Sequence, residues 1–144
     1  MGKEYVDMGL PSGTLWASEN EEGYFTFDEA VEKFGNSLPA RWQFCELIEN
    51  CDCYFDTDLN VFICESNFNG NIVKFSAFRG YRSRDWVFIG VDDRYGDYWS
   101  RTPFTNDEDA WFLSLSNYGS VDPTDITNRY YGLSVRLCKL ERRA

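Results

Sequence analysis

Three acidic clusters and five cysteines are where this sequence could do chemistry. Asp56, Asp58 and Asn60 space their oxygens like the opening of a calcium-binding EF-hand loop. Val61, however, stands where that loop requires glycine, and Asn67 where it requires a bidentate glutamate, so a solvated hairpin turn is expected. The clusters Asn106 to Asp109 and Asp122 to Asp125 could each present carboxylates to calcium, and each falls where a loop is due. The sugar-lectin signatures Glu-Pro-Asn, Gln-Pro-Asp and Trp-Asn-Asp do not occur, and no metal or other cofactor is expected. A glycosidase needs two carboxyls at a defined separation. The 24 Asp and Glu residues offer many pairs, and no spacing singles one out.

The chain has no histidine, which excludes Ser-His-Asp and Cys-His catalysis and His-ligated zinc. Cys45, Cys51, Cys53, Cys64 and Cys138 match no usual zinc spacing, and no histidine can activate any of them, so no enzyme is expected. Reduced thiols are the default, and a link from Cys45 or Cys51 to Cys138 stays open at this stage. A net charge of -10 opposes nucleic-acid phosphates and anionic membranes. No run approaches the roughly 18 apolar residues of a membrane span, and Met1 to Glu4 lacks the apolar stretch of a signal peptide. A soluble chain is expected, placed by a larger assembly at a virion or cell surface.

The elements that must position these groups follow from periodicity. Tyr5 to Leu10 and Thr14 to Ala17 read as strands around a Pro11 to Gly13 turn. Thr26 with Glu29 forms a capping box for a helix carrying Phe27, Ala30, Val31 and Phe34 on one face and stopped by Gly35. Leu38-Pro39 opens a second helix with Trp42, Phe44, Leu47 and Ile48, ending near Asn50. Strands and tight turns follow, among them a hairpin with Asn69-Gly70 as its two-residue turn. The predicted class is α+β, with two helices followed by a mainly antiparallel, turn-rich sheet, and 144 residues suit one domain spanning 1-144. Near the C-terminus, Trp111, Leu113 and Leu115 alternate with Phe112, Ser114 and Ser116, which predicts an inward and an outward set on one strand. The outward set adjoins further Tyr, Asp and Asn residues, the side chains that adaptable binding surfaces use.

Several segments together carry a resemblance: Tyr5 to Ala17, Leu38-Pro39 before a helix, Gly80-Tyr81-Arg82, Gly96 to Ser100 with Thr102-Pro103, and Asn128 to Arg136. In this order they resemble the major paralogous domain family named after Fibrobacter succinogenes. That family is similar to the C-type lectin fold, whose relatives include formylglycine-generating enzymes and the variable proteins of diversity-generating retroelements. The resemblance implies a C-type lectin-like fold and a non-enzymatic domain that binds a protein or glycan ligand through a segment at about 83-138. In a retroelement-diversified receptor-binding or display protein of a phage or bacterium, the framework would be Tyr98, Trp99, Ser100, Thr102, Pro103, Ala110, Leu113, Leu115, Arg129, Gly132, Ser134, Val135 and Arg136. The ligand-binding positions would be Asp92, Asp93, Arg94, Tyr95, Asp97, Phe104, Phe112, Ser114, Ser116, Tyr118, Asp122, Thr124, Asp125, Asn128, Tyr130 and Tyr131. The connection from Ala17 to the first helix looks shorter than in many members, and Leu133 and Cys138 depart from the expected pattern. The paired C-terminal cysteines of formylglycine-generating enzymes are absent, with Cys138 alone in that region. The alternatives are a fixed structural or adhesive module of a bacterial surface protein and a calcium-dependent sugar lectin.

Overall fold

The computed structural model describes residues 4–76, 81–82, 88–89, 95–116 and 121–140, with backbone alone at 88, 89 and 95. Two short helices, α1 (Phe27–Phe34) and α2 (Arg41–Glu49), precede most of the strands. The strands are β1 (Tyr5–Asp7), β2 (Thr14–Ala17), β3 (Cys51–Asp56), β4 (Val61–Ser66), β5 (Ile72–Ser76), β6 (Tyr81–Arg82), β7 (Phe88–Ile89), β8 (Tyr95–Pro103), β9 (Asp109–Ser116), β10 (Val121–Asn128) and β11 (Cys138–Leu140). They form antiparallel sheets ordered β1-β2-β11, β3-β4-β5 and β10-β9-β8, with β6-β7 as a separate pair. The fold is therefore α+β. Among the described residues no helix is long and apolar enough to cross a membrane.

The capping box at α1 forms as the sequence predicts. Thr26 Oγ1 accepts from Glu29 N at 3.2 Å, Glu29 Oε1 accepts from Thr26 N at 2.9 Å, and Gly35 closes the helix at φ 51°. Thr26→Ala should cost about 1 kcal/mol and lower the melting temperature by roughly 3 °C, measurable by circular dichroism.

Helix α2 begins later than predicted. Arg101 N donates to Pro39 O at 2.7 Å and Arg41 N donates to Thr102 Oγ1 at 2.9 Å, so contacts with β8 fasten the residues before Arg41. Phe44 and Leu47 enter the core from α2, while Trp42 lies exposed.

The β4–β5 hairpin has a wider connection than the predicted two-residue turn. Ser66 Oγ accepts from Phe68 N and Asn69 N, and the side-chain amides of Asn69 and Asn71 both donate to Asp7 O, tying the loop to β1. The 56–60 segment is the expected hairpin turn: Asp56 Oδ1 accepts from the N–H groups of Asp58 and Leu59. All five cysteines are free thiols, so nothing links Cys45 or Cys51 to Cys138.

The β8–β10 sheet has a hydrophobic cluster on each face. Tyr98, Leu113 and Leu115 point to one, with Trp16, Phe44, Phe75 and the inner residues of β3–β5. Trp99 and Phe112 point to the other, with Phe27, Ala30, Leu38, Leu133, Val135 and Leu137. A polar relay ties the sheets together. Arg136, only 2% exposed, donates to Asn20 Oδ1 (2.9 Å), Ala17 O (3.1 Å) and Lys74 O (2.6 Å) and lies over the Phe75 ring at 4.5 Å. Asn20 in turn donates to the Tyr98 hydroxyl at 3.0 Å, and Tyr98 donates to Ser76 O at 2.8 Å.

Candidate functional site

A two-sided sheet changes what strand alternation means on β9. The inward and outward sets predicted there do separate onto opposite faces, but both faces are covered. Phe112, expected outward, is 7% exposed and packs edge-on to Trp99 at 6.3 Å, because α1 and residues 133–137 cover its face. Ser116, also expected outward, is buried. Trp111, expected in the core, is half-buried near the end of the sheet, where the Arg41 guanidinium lies 4.0 Å from its ring centroid and Phe104 meets it edge-on at 5.2 Å.

The register sets a row of polar groups on the Phe112 face. Asp97 opposes Ser114, and Asp122 opposes Ser114 from the other side. Between Asp122 and Asp125 the edge strand β10 carries one extra residue, which accommodates Pro123 and brings Asp125 opposite Phe112. Asp122 and Asp125 therefore share the face of Asp97. Asp97 is 6% exposed, and its carboxyl is raised to about 7 by burial first and by the Asp125 charge second, against a hydrogen bond with Ser114 that lowers it.

The segment Gly132 to Ser134 completes the site. Gly132 exchanges backbone hydrogen bonds with Arg82 (2.7 and 2.9 Å), Leu133 exchanges a pair with Phe25 (2.9 Å each), and Ser134 bonds Asp97 O and Trp99 N at 3.0 and 3.1 Å. These bridges place Tyr81 beside Tyr131, and the two rings stack at 5.6 Å with 14° between planes. Together with Asp97, Phe112, Ile126, Thr127 and Leu133 they line a cavity of about 100 Å3. A second depression, of about 320 Å3, is lined by Asp28, Asp107, Glu108, Asn128, Arg129 and Tyr130.

Of the positions predicted to bind, Asp97, Phe112 and Tyr131 thus line the first cavity, and Asn128 and Tyr130 line the second. Ser114, Asp122, Thr124 and Asp125 lie on or beside the β9–β10 surface, with Thr124 exposed. Phe104 stands apart, against Trp111. Asp92, Asp93, Arg94 and Tyr118 lie outside the described residues, as does the side chain of Tyr95. Tyr81, Ile126, Thr127 and Leu133 were not among the predicted positions. Tyr81 is brought in by the bridge to Gly132, which has no signature in local sequence.

The acidic turns spend their oxygens locally. Asn106 Oδ1 accepts from Glu108 N and Asp109 N, and Asp122 Oδ1 accepts from both the N–H and the hydroxyl of Thr124. Among the described residues no group of three or more His, Cys, Asp or Glu side chains is placed to hold a metal ion. Comparison with models of known families, with curated proteins and with solved structures finds no match.

Proposed function

We propose that the chain is a non-enzymatic ligand-binding module of C-type lectin-like fold, related to the Fibrobacter succinogenes major paralogous domain family. It holds a protein or glycan against the β8–β10 face and the Tyr130-Tyr131 turn. The observation that carries this reading is the size and lining of the first cavity. At about 100 Å3 it is smaller than the roughly 150 Å3 cavity that holds a benzene ring, and far below the range for small-molecule sites. Such a cavity accepts one small group of a larger ligand, while most of the contact spreads over the surrounding surface. It is also too small to seat a sugar ring, and among the described residues Asp97 is the one carboxylate in its lining, which disfavours acid–base hydrolysis at this cavity.

A scaffold with a replaceable surface is supported at part of the predicted positions, with Asp97, Phe112 and Ser116 buried and so outside that surface. Tyr98, Trp99, Ala110, Leu113, Leu115, Ser134 and Val135 are buried, whereas Thr124 and Tyr130 are exposed. Diversification by a retroelement is the fuller form of this proposal. A reverse transcriptase gene nearby, with a near-copy of this segment differing mainly at adenines, supports it, and a locus without them leaves a fixed adhesive surface.

The binding reading is tested by selecting binders to the purified chain from a glycan array and a displayed random-peptide library. Tyr130, 58% exposed, should be an anchor whose loss weakens selected binders about tenfold or more while changing stability by less than about 0.5 kcal/mol. Tyr131→Ala should weaken binding and also lower the melting temperature, because it leaves Tyr81 unstacked. Binders that keep full affinity for Tyr130→Ala, Tyr131→Ala and Asp125→Ala would place recognition elsewhere and sink the proposal.

A further inference from the structure

Cys53 on β3 and Cys64 on β4 oppose each other directly, with 3.5 Å between their sulfurs. The backbone fixes the kind of rung they occupy. Asn67 N donates to Asn50 O at 3.0 Å, which makes 50/67 a hydrogen-bonded rung one step beyond the Cys51/Ser66 pair. Rungs alternate in an antiparallel ladder, so Cys53/Cys64 is a non-hydrogen-bonded pair, where Cα atoms approach to about 4.5 Å. The other edge of β4 agrees. Ser66 N donates to Asn71 O at 2.8 Å, so Cys64/Val73 is a bonded rung and the Cys64 backbone turns toward β5, away from Cys53. A separation of about 4.5 Å lies inside the Cα range that disulfides span, and a bond of about 2.05 Å requires the sulfurs to close by about 1.5 Å.

The surroundings distinguish the two thiols. Cys64 is fully buried, whereas Cys53 is only partly buried at the edge of the core. The hydrogen bond between the two sulfurs holds the Cys53 thiol below its ordinary value, and the same bond, together with burial, pushes Cys64 well above. Burial raises the other three, Cys51 and Cys138 to about 12. Cys51 is on the next like rung, opposite Ser66, with no thiol across from it.

We propose that Cys53 and Cys64 form a reversible dithiol–disulfide site that reacts with peroxides. The Cys53 thiolate attacks a peroxide oxygen, the O–O bond breaks, and the released hydroxide is protonated to water, leaving Cys53 as a sulfenic acid. Cys64 then loses its proton and attacks the Cys53 sulfur, expelling hydroxide that takes up that proton as a second water. In sum, two thiols and one hydrogen peroxide give one disulfide and two waters, the sulfurs together losing two electrons. A small dithiol reverses the bond by exchange.

The test is to treat the reduced protein with hydrogen peroxide near pH 7.5, remove the peroxide, unfold the protein in guanidinium with N-ethylmaleimide present so that the buried thiols also react, and map peptides by mass spectrometry. The site predicts that three of the five thiols remain alkylatable, that a Cys53–Cys64 linked peptide appears, and that dithiothreitol removes it. Cys53→Ser should slow thiol loss at least about tenfold, Cys64→Ser should stop at a dimedone-reactive Cys53, and Cys51→Ser should leave the link intact. All five thiols labelled after peroxide, a link through Cys51 in wild-type protein, or a persistent Cys53 sulfenic acid without a link would each overturn the proposal. The wild-type peptide map decides the matter even if a serine variant fails to fold.

Discussion

At pH 8, Asp97→Asn is expected to melt roughly 5–10 °C above the wild-type protein, and at pH 4.5 the two should differ by little. Asp97 is 6% exposed, and its carboxyl titrates at about 7 because burial and the Asp125 charge both disfavour the anion. In the unfolded chain it titrates near its ordinary value of about 3.9. The folded state therefore holds the proton more tightly. The stability this group contributes is fully present below about pH 4 and is lost as pH rises through about 7. A difference of about three units at 1.36 kcal/mol each makes the ionised form on the order of 4 kcal/mol less favourable at high pH. Of the groups facing Asp97, Ser114 on β9 offsets part of this through its hydrogen bond, Asp125 on β10 adds to it, and Tyr81 and Tyr131 lie across the cavity. Asparagine has the shape of the neutral acid and no charge to bury. Thermal melts of both proteins at the two pH values decide it, and equal melting temperatures at pH 8 would show that the carboxylate is solvated well enough to cost nothing.

The opposite sign is expected for Arg136→Met, which should destabilise by about 3–5 kcal/mol and leave much of the protein unfolded at moderate denaturant. The guanidinium is held by two backbone carbonyls, an asparagine oxygen and an aromatic face. Burial lowers its affinity for a proton, a sign of how much solvation it has given up. Methionine fills part of the volume but leaves Ala17 O and Lys74 O without this donor, at about 1–3 kcal/mol for each unsatisfied group. Lysine keeps the charge and loses the planar fork, so Arg136→Lys should fall between the two. Urea titration gives the ranking. A methionine variant as stable as wild type would mean that water replaces the guanidinium at those carbonyls.

What the sequence disclosed divides along the distance over which each feature is decided. The α1 cap was legible because Thr26 and Glu29 are three residues apart and close on each other. That Leu113 and Leu115 share one face of β9 was legible from strand period alone. The fate of Phe112 was not, since alternation tells two faces apart without saying what covers each one. The Asn69-Gly70 turn misled because the side chains of Asn69 and Asn71 reach Asp7, more than sixty positions away. The juxtaposition of Cys53 and Cys64 depends on register, and a shift of one residue would have sent one thiol to the opposite face. Arg136 reads as a surface cation by type and as framework only through the resemblance; contacts with β2, β5 and Asn20 are what hold it in the core. At the candidate site, the residues gathered from β8 to β10 were foreseen in part, whereas Tyr81 needed the Arg82–Gly132 bridge to bring it there.

The sheet order β1-β2-β11 has a consequence for how this fold can be carried. Tyr5 pairs with Ala17 and Leu140 pairs with Thr14, so the two flanking strands sit on either side of β2. Two strand spacings across and three residues along put Tyr5 and Leu140 roughly 14 Å apart. The two flanking strands run parallel to each other, so Tyr5 lies at the Ala17 end of β2 and Leu140 at its Thr14 end, a gap that a linker of a few residues spans. A linker between residues 5 and 140, with the chain opened at the Asn67–Asn71 connection, should therefore give a circular permutant that keeps the β1-β2-β11 order.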